Sequence, residues 1–341
     1  SELPDDLLWV AKAQLRLNQL HRRLGNLDDA ANALDAAQNA LNQLPPEFEP
    51  LNVGIERMSV DFDRSSLYML QGHLEESKAA LEMSATTGRA LLAEYPNTVV
   101  LLKQMSSTLG ELGSRLRSQR QFQASAELQQ EAVDLMEKCL EINGQDIDLE
   151  RHLGIRLLNL GNVLASLGQL DQASGALEKS LAIRRALCEK NPELWKLRAD
   201  LAYTLDSFGA FHFSRGVVVD AKQMMSEAMT LRRKLIQEQP LQEEIRRDLL
   251  FTMLNLSAVE NQVGDAVASE QTLHDAIAIC DKASSDFPDV AEYEFLQIAL
   301  KNRLANSLAA RHQSAEAVEI LNELIDSLQS KQESDDRLQR R

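Results

Sequence analysis

The chain repeats itself at intervals of 48 residues, and this periodicity constrains the fold more than any other feature. The repeat is easiest to follow through Gly168, which recurs as Gly216 and Gly264 in the next two copies. The other copies place Gly25, Gly72, Arg120 and His312 at the same register position. A proline keeps the same step at Pro192, Pro240 and Pro288. Because so short a unit cannot bury an apolar face alone, we expect seven copies to stack on one another.

Each copy is predicted to contain two antiparallel helices, helix A and helix B. Leu and Ala supply 57 and 39 of the 341 residues, and aromatics only 4%, which favours long helices over strands. The repeated glycine is expected to end helix A, because glycine adopts the left-handed conformation found after a helix C-terminus. A small residue recurs in helix B, which predicts close contact with helix A; it is Ala30, Ser77, Ser125, Ala173, Ala221, Ser269 and Ala317.

One copy carries a family pattern. Leu160-Gly161, Leu164, Gly168, Ala173, Leu177 and Ser180 resemble the tetratricopeptide repeat, although this unit is 14 residues longer than the family's. The resemblance implies an all-α, right-handed solenoid of about seven helix pairs over residues 1–329. The expected repeats are 5–45, 50–97, 98–145, 146–193, 194–241, 242–289 and 290–329, followed by a disordered tail at 330–341. The long unit also looks like the tetratricopeptide tails of large bacterial Ser/Thr protein kinases.

No catalytic, cofactor or metal motif accompanies the repeats. The segment Asp206-Ser-Phe-Gly209 is not a kinase Asp-Phe-Gly motif, because its phenylalanine and glycine fall on repeat packing positions. His274 and Cys280 lack a second pair of ligands nearby, so zinc is not expected. We therefore predict a segment that is not an enzyme, needs no cofactor and binds other proteins.

Charge and hydropathy exclude two classes of partner. The formal net charge is −16, whereas nucleic-acid and anionic-membrane binding need a basic surface. No apolar run approaches the roughly 18 residues of a membrane span.

Three cysteines without a close pair favour a reducing compartment, so we expect a cytoplasmic segment. An extracytoplasmic location stays open if the segment follows a membrane span in a longer chain.

The resemblance also implies where a partner binds. In the family, helix A faces line a concave groove that holds peptides. The groove candidates here are Arg22, Arg23, Phe62, Arg117, Asn162, Tyr203, Asp206, Phe213, Phe251, Asn261, Asn302 and Asn306. The full set of groove positions also includes Lys12, Leu15, Gln19 and Ser59, and it carries more basic than acidic side chains. It therefore predicts a neutral-to-acidic protein or peptide partner, which Asn162 would hold through its amide.

Two alternatives remain open at this point. The segment could be the sensor or docking tail of a kinase whose catalytic domain lies before residue 1. It could also be a self-association module, forming a homodimer through the C-terminal repeat. That repeat carries apolar residues around more of its last helix than one neighbour can cover, namely Ile320, Leu321, Leu324, Ile325 and Leu328.

Overall fold

The computed structural model describes residues 3–288 and 290–339, with side chains described through residue 326 and at 329. In this part of the chain every regular element is a helix, so the prediction of an all-α fold with seven helix pairs is confirmed. The pairs are α1 (Pro4–Arg23) with α2 (Leu27–Asn42), α3 (Pro50–Leu70) with α4 (Leu74–Glu94), α5 (Val99–Ser118) with α6 (Phe122–Asn143), α7 (Ile147–Ser166) with α8 (Leu170–Lys190), α9 (Trp195–Ser214) with α10 (Val218–Glu238), α11 (Glu243–Val263) with α12 (Ala266–Asp286), and α13 (Glu292–Ala310) with α14 (Ser314–Gln339).

The chain divides into two compact units, Ser1–Ile183 and Arg184–Arg341, with the boundary inside α8. In the first unit, apolar residues of α1, α2 and α3 form one core cluster, and those of α3 to α6 form another. In the second unit, one cluster joins α11 to α14 and a smaller one joins α10 to α11. The single solenoid over 1–329 stays a prediction. The expected tail is 330–341; the backbone of its residues 330–339 is described as the end of α14, while their side chains and residues 340 and 341 lie outside the described part of the chain. The disorder expected for this tail stays a prediction.

The repeated glycine ends helix A as expected. Gly25, Gly72, Gly168, Gly216 and Gly264 all have φ between 75° and 86°. The two copies without glycine adopt the same conformation, since Arg120 has φ of 60° and His312 has φ of 62°. A left-handed backbone at a residue with a Cβ costs roughly 1–2 kcal/mol. The stack therefore imposes this turn on every copy, whichever residue occupies it.

The predicted close approach of helices A and B is confirmed by the small residue of helix B. The residue at this position is fully buried in the first six copies and 4% exposed in the seventh. The facing position of helix A is also small or polar, and it makes direct contacts across the pair. Asn18 Nδ2 donates to the Ala30 carbonyl at 2.9 Å, and Ser125 Oγ donates to the Gly113 carbonyl at 2.7 Å. At Gly113 an added Cβ would lie 2.8 Å from Gln129 Nε2, so the helices approach closely there.

The cysteines behave as small hydrophobic residues in two of three cases. Cys139 and Cys280 are buried in helices α6 and α12, and Cys188 is half-buried. Burial raises the pKa of the Cys280 thiol to about 11, which keeps it protonated at neutral pH. A protonated, buried thiol is a poor nucleophile, in keeping with a packing role.

Candidate functional site

A cavity lies on the helix A faces of the first two copies. It measures about 560 Å³ and opens between α1 and α3. We call it the α1–α3 pocket, and it is lined by Trp9, Lys12, Leu15, Arg16, Gln19, Glu56, Ser59 and Asp63. Four of these positions, Lys12, Leu15, Gln19 and Ser59, belong to the groove set expected from the sequence. The pocket therefore lies on the face where the family resemblance places a peptide.

An exposed tryptophan forms the rim of the pocket. Trp9 is 71% exposed, although large aromatic side chains normally bury most of their surface. Lys12 Nζ lies 5.5 Å from the centroid of its ring, a cation–π contact at the protein surface. The Trp9 ring is an exposed apolar surface, and the Lys12 ammonium is a positive charge beside it. This arrangement is suited to a ligand that has an apolar side chain next to an acidic one.

The polar side chains on one wall of the pocket are hydrogen-bonded to one another. Asp63 accepts from Arg22 Nη2 at 2.7 Å and from Gln19 Nε2 at 3.4 Å, which joins the first helix pair to the second. Burial raises the pKa of the Asp63 carboxyl, and the Arg22 guanidinium opposes that effect. Arg22 also donates to Asn18 Oδ1 at 3.1 Å. Arg22, one of the expected groove residues, is thus ion-paired with Asp63, and its role in binding stays a prediction.

The remaining charges of the pocket face solvent more freely. Glu56 Oε1 lies 3.9 Å from Lys12 Nζ, and burial raises the pKa of its carboxyl while Lys12 and Arg16 lower it. Ser59 Oγ donates to the Ile55 carbonyl at 3.0 Å, so its hydroxyl is engaged by the helix backbone. The arrangement is suited to binding through Trp9, Lys12 and Arg16 rather than to nucleophilic chemistry.

The other candidates of the first unit lie outside this pocket. Arg23 and Arg117 are exposed near the ends of α1 and α5, while Phe62 and Asn162 are half-buried in α3 and α7. None of these four is among the residues that line the α1–α3 pocket. Their roles in binding stay predictions.

In the second unit, Asp206 belongs to a buried ion cluster. Arg232, which is 3% exposed in its side chain, bonds to Asp206 and lies 3.8 Å from Asp248 Oδ2. Thr252 Oγ1 donates to Asp206 Oδ2 at 2.9 Å. Burial raises the pKa of the Asp206 carboxyl, with Arg232 acting in the opposite direction. Asp206 therefore joins α9 to α10 and α11, and its position explains its presence without a ligand.

The remaining candidates of the second unit divide by exposure. Tyr203, Phe251, Asn302 and Asn306 are exposed. Phe213 packs at the edge of the α10–α11 core cluster, and Asn261 Oδ1 accepts from Ser307 Oγ at 3.3 Å. The exposed residues remain available to a partner, whereas Phe213 and Asn261 already make intramolecular contacts.

Sequence reasoning missed Trp9, Arg16, Glu56 and Asp63. The missing signal was helical spacing, since Trp9 stands three residues before Lys12 and therefore shares its face. On α3, Glu56 and Asp63 flank Ser59 at the same three- and four-residue spacing. A wider strip of helix A, rather than four or five positions per copy, would have included all four.

Within residues 3–288 and 290–339, no group of three or more His, Cys, Asp or Glu side chains is placed to hold a metal ion. No helix of the same described residues is long and apolar enough to cross a membrane.

Comparison with known proteins agrees with the repeat assignment. The model of the tetratricopeptide repeat family matches residues 106–145 and 156–193. No curated protein sequence matches the chain. The kinase-tail resemblance is not tested by these matches and stays a prediction.

Several solved structures share the fold at low sequence identity. The signal transduction ATPase PH0952 from Pyrococcus horikoshii, which has a tetratricopeptide repeat sensor, aligns with 95% of this chain and 43% of its own, with a TM-score of 0.65 and 11% identity. The apo form of RapI aligns with 95% of this chain and 99% of its own, with a TM-score of 0.56 and 14% identity. A Rap protein complexed with competence and sporulation factor aligns with 93% of this chain and 76% of its own, with a TM-score of 0.52 and 15% identity. This chain therefore carries tetratricopeptide repeats at residues 106–145 and 156–193, and it shares the fold of a protein with a tetratricopeptide repeat sensor.

Proposed function

We propose that this chain is a non-catalytic scaffold that binds an extended protein segment on its helix A faces, with the α1–α3 pocket as the anchor. The observation that carries the proposal is Trp9, which stands 71% exposed at the rim of a 560 Å³ pocket. Keeping so large an aromatic side chain in water is unfavourable, and aromatic anchors that fill pockets dominate binding energies.

The pocket chemistry favours a segment with one apolar and one acidic side chain. The apolar side chain would lie on Trp9 and Leu15, and its acidic neighbour would face Lys12 and Arg16. Gln19 retains hydrogen-bonding capacity toward a peptide backbone. The neutral-to-acidic partner expected from the sequence fits this arrangement, with Lys12 and Arg16 as the basic side chains that line the pocket.

Similarity in fold to the Rap protein supports a binding role for this chain. That protein was solved in complex with competence and sporulation factor, and its fold aligns with 93% of this chain. A binding role on the same fold is therefore precedented. The low identity carries no residue of that complex over to this chain.

The test uses peptides selected against the protein itself. Peptides from a random phage-displayed library are enriched on the chain and titrated into a Trp195→Phe variant, in which Trp9 is the one remaining tryptophan. We expect the Trp9 emission to shift on binding. Trp9→Ala removes this signal, so its binding is followed by the anisotropy of a labelled peptide. It should weaken binding by about 30-fold, since truncated aromatic anchors typically cost about 2 kcal/mol or more.

Two further variants define the site. Lys12→Glu with Arg16→Glu should weaken binding of acidic peptides and reduce its salt dependence, because exposed charges steer association. Phe295→Ala is the matched control, since Phe295 is a comparably exposed aromatic residue on α13. Selected peptides that bind Trp9→Ala as tightly as the parent chain would rule out the α1–α3 pocket.

Self-association through the seventh copy is a second candidate. On α14, Val318 and Ile325 are about half exposed and stand two turns apart on one face. An exposed apolar face of this kind favours a contact with another helix. Light scattering of the parent and of an Ile325→Glu variant tests it, and a monomeric parent at micromolar concentration would exclude it.

A further inference from the structure

A second cavity, of about 260 Å³, lies in the second unit where three helices meet. We call it the α11 cavity; it is lined by Arg233, Ile236 and Gln237 of α10, Arg246 and Leu249 of α11, and Ile279, Lys282 and Ala283 of α12. Within each helix these residues are three or four positions apart, so they share one face of that helix. Because α11 packs against both α10 and α12, the three faces are held together around the cavity.

The charge of the lining is opposite to that of the chain. Arg233, Arg246 and Lys282 are basic, and no acidic side chain of the described residues lines the cavity. The chain as a whole has a net charge of −16. In the α1–α3 pocket, by contrast, Glu56 and Asp63 lie among the basic side chains. A cavity lined by charges of one sign attracts ligands of the other, so this lining favours an anion.

The internal repeat shows that Arg246 lacks the partner that its counterpart has. Arg198, which stands 48 positions earlier, binds the Glu238 carboxylate through two hydrogen bonds, at 2.5 and 2.8 Å. The residue that corresponds to Glu238 is Asp286, whose side chain is one methylene shorter. The Arg246 guanidinium instead lies 5.0 Å from the centroid of the Phe287 ring. Among the described residues no carboxylate pairs with Arg246, so its charge is available to a ligand.

Two guanidinium nitrogens at this cavity are buried without a hydrogen-bond partner. They are Nε of Arg233 and Nη1 of Arg246. Arg233 pairs through Nη2 with Asp275 Oδ2 at 2.9 Å, and its Nε takes no part in that contact. A buried donor without a partner has lost the hydrogen bonds that water would give it, and a bound acceptor restores them. The unpaired donors and the positive lining therefore favour the same ligand group, an oxyanion.

The rest of the lining is mainly apolar and limits the ligand in size. Leu249 and Ala283 are buried, while Ile236 and Ile279 are half-buried and pack against the core cluster of α11 to α14. A volume of 260 Å³ lies just below the range of about 300–1,000 Å³ typical of small-molecule pockets. The ligand that fits both parts of the lining is a small one, with an apolar body and one anionic group.

We propose that the α11 cavity binds a small organic carboxylate with an apolar body. Its two oxygens would accept from Arg246 and from Arg233 Nε, because a carboxylate matches the planar fork of a guanidinium. Lys282 would add to the attraction, and the apolar body would lie on Ile236 and Ile279. The site belongs to the second unit, so the proposal stands independently of the peptide-binding function proposed for the α1–α3 pocket.

The probe is 4-fluorobenzoate, titrated with the full chain and followed by fluorine NMR. It combines a carboxylate, an apolar ring and a reporter atom. We expect a dissociation constant at or below about 1 mM, which is reasonable for a ligand of this size. Two matched ligands separate the contributions: 4-fluorobenzamide lacks the charge, and fluoroacetate lacks the ring. Each should bind at least about tenfold more weakly, because each loses one of the two sets of contacts.

The protein variants place the site at Arg246. Arg246→Gln should weaken binding of 4-fluorobenzoate by about tenfold or more, since hydrogen bonds to a charged group are the strong ones. Arg247→Gln is the matched control and should bind like the parent, because Arg247 is the next residue of α11, lies 3.7 Å from Glu243 and does not line the cavity. Lys282→Glu should also weaken binding, since it places a like charge at the cavity.

Three results would overturn the proposal. The parent chain could fail to bind 4-fluorobenzoate at millimolar concentration. Alternatively, 4-fluorobenzamide or fluoroacetate could bind as tightly, which would remove the role of the charge or of the apolar lining. Finally, Arg246→Gln and Lys282→Glu could both bind like the parent while circular dichroism shows them folded. Lys282 is exposed, so Lys282→Glu keeps the test valid if Arg246→Gln does not fold.

Discussion

Two glycines in the fourth helix pair offer a direct measurement of how tightly helices A and B pack. A Cβ at Gly161 in α7 would lie 2.7 Å from Leu177 Cγ and 3.2 Å from the Ala173 carbonyl oxygen. A Cβ at Gly175 in α8 would meet no atom within 4 Å. Neither glycine has a positive φ. Replacing each with alanine therefore changes the backbone preference equally and the packing differently.

The expected magnitudes follow from these distances. Both substitutions gain about 1 kcal/mol in helix propensity. Gly161→Ala also forces the Leu177 side chain and the α8 backbone to shift, and overpacking of that kind costs about 1–3 kcal/mol. Because the propensity gain is common to both, Gly175→Ala should be the more stable variant by about 1–3 kcal/mol.

The assay must resolve local stability, because repeat arrays depart from two-state unfolding. We expect hydrogen exchange followed by mass spectrometry to show reduced protection in α7 and α8 for Gly161→Ala, and equal or increased protection for Gly175→Ala. Urea unfolding supplies the difference in midpoint. In a Leu177→Ala background, Gly161→Ala should lose most of its penalty, since the two side chains no longer collide.

Equal stability of the two variants would refute the reasoning. Loss of protection spread evenly over all fourteen helices in Gly161→Ala would also contradict it, because each copy of a stack contacts only its neighbours. Restored protection in the double variant would confirm Leu177 as the source of the strain.

Three further predictions concern single positions. Arg120→Gly and His312→Gly should each raise the free energy of unfolding by about 1 kcal/mol, because both residues have a left-handed backbone that glycine adopts without strain. Gly168→Ala should lower the free energy of unfolding by about 1–2 kcal/mol for the same reason. Burial raises the pKa of Asp61 from 3.8 to about 6, so its contribution to the free energy of unfolding falls as pH rises from about 4 to 6 and then stays constant. Asp61→Asn should therefore stabilise the protein by about 1–3 kcal/mol at pH 7.5 and have no effect near pH 3.5, as measured by urea unfolding at both values. Arg156 is 5% exposed, its Nε and Nη1 atoms have no hydrogen-bond partner, and burial lowers the pKa of its guanidinium. Arg156→Met should therefore raise the free energy of unfolding by about 1 kcal/mol or more, measured as a higher urea midpoint. A lower midpoint would show that the charge of Arg156 is compensated in the folded protein.

Much of the fold could be predicted because its determinants repeat. The interval of 48 residues identified the seven helix pairs, and the glycine position marked the end of each helix A. The same register correctly included Arg120 and His312, although neither residue favours that conformation. Leu/Ala composition and spacing are local properties, so one sequence is enough to detect them.

The candidate site was predicted less completely, because binding depends on which charges remain free. The sequence indicated the helix A faces, and four of the eight pocket-lining residues were among the expected positions. It could not show that Asp63 neutralises Arg22, since the two side chains are 41 residues apart and meet through the packing of α1 against α3. Nor could it show that Arg232 and Thr252 enclose Asp206.

The sequence by itself determined the repeat, the helix pairs, the small contact residue of helix B and the absence of a recognisable catalytic motif. Each of these depends on spacing along the chain or on the conformational preference of one residue type. Only the tertiary structure decided that Trp9 stands exposed beside a pocket, that Arg22 pairs with Asp63, and that Arg232 pairs with Asp206. Exposure and ion pairing are properties of neighbouring copies brought together, because a side chain's surroundings in a stacked array come from helices about 40 residues away.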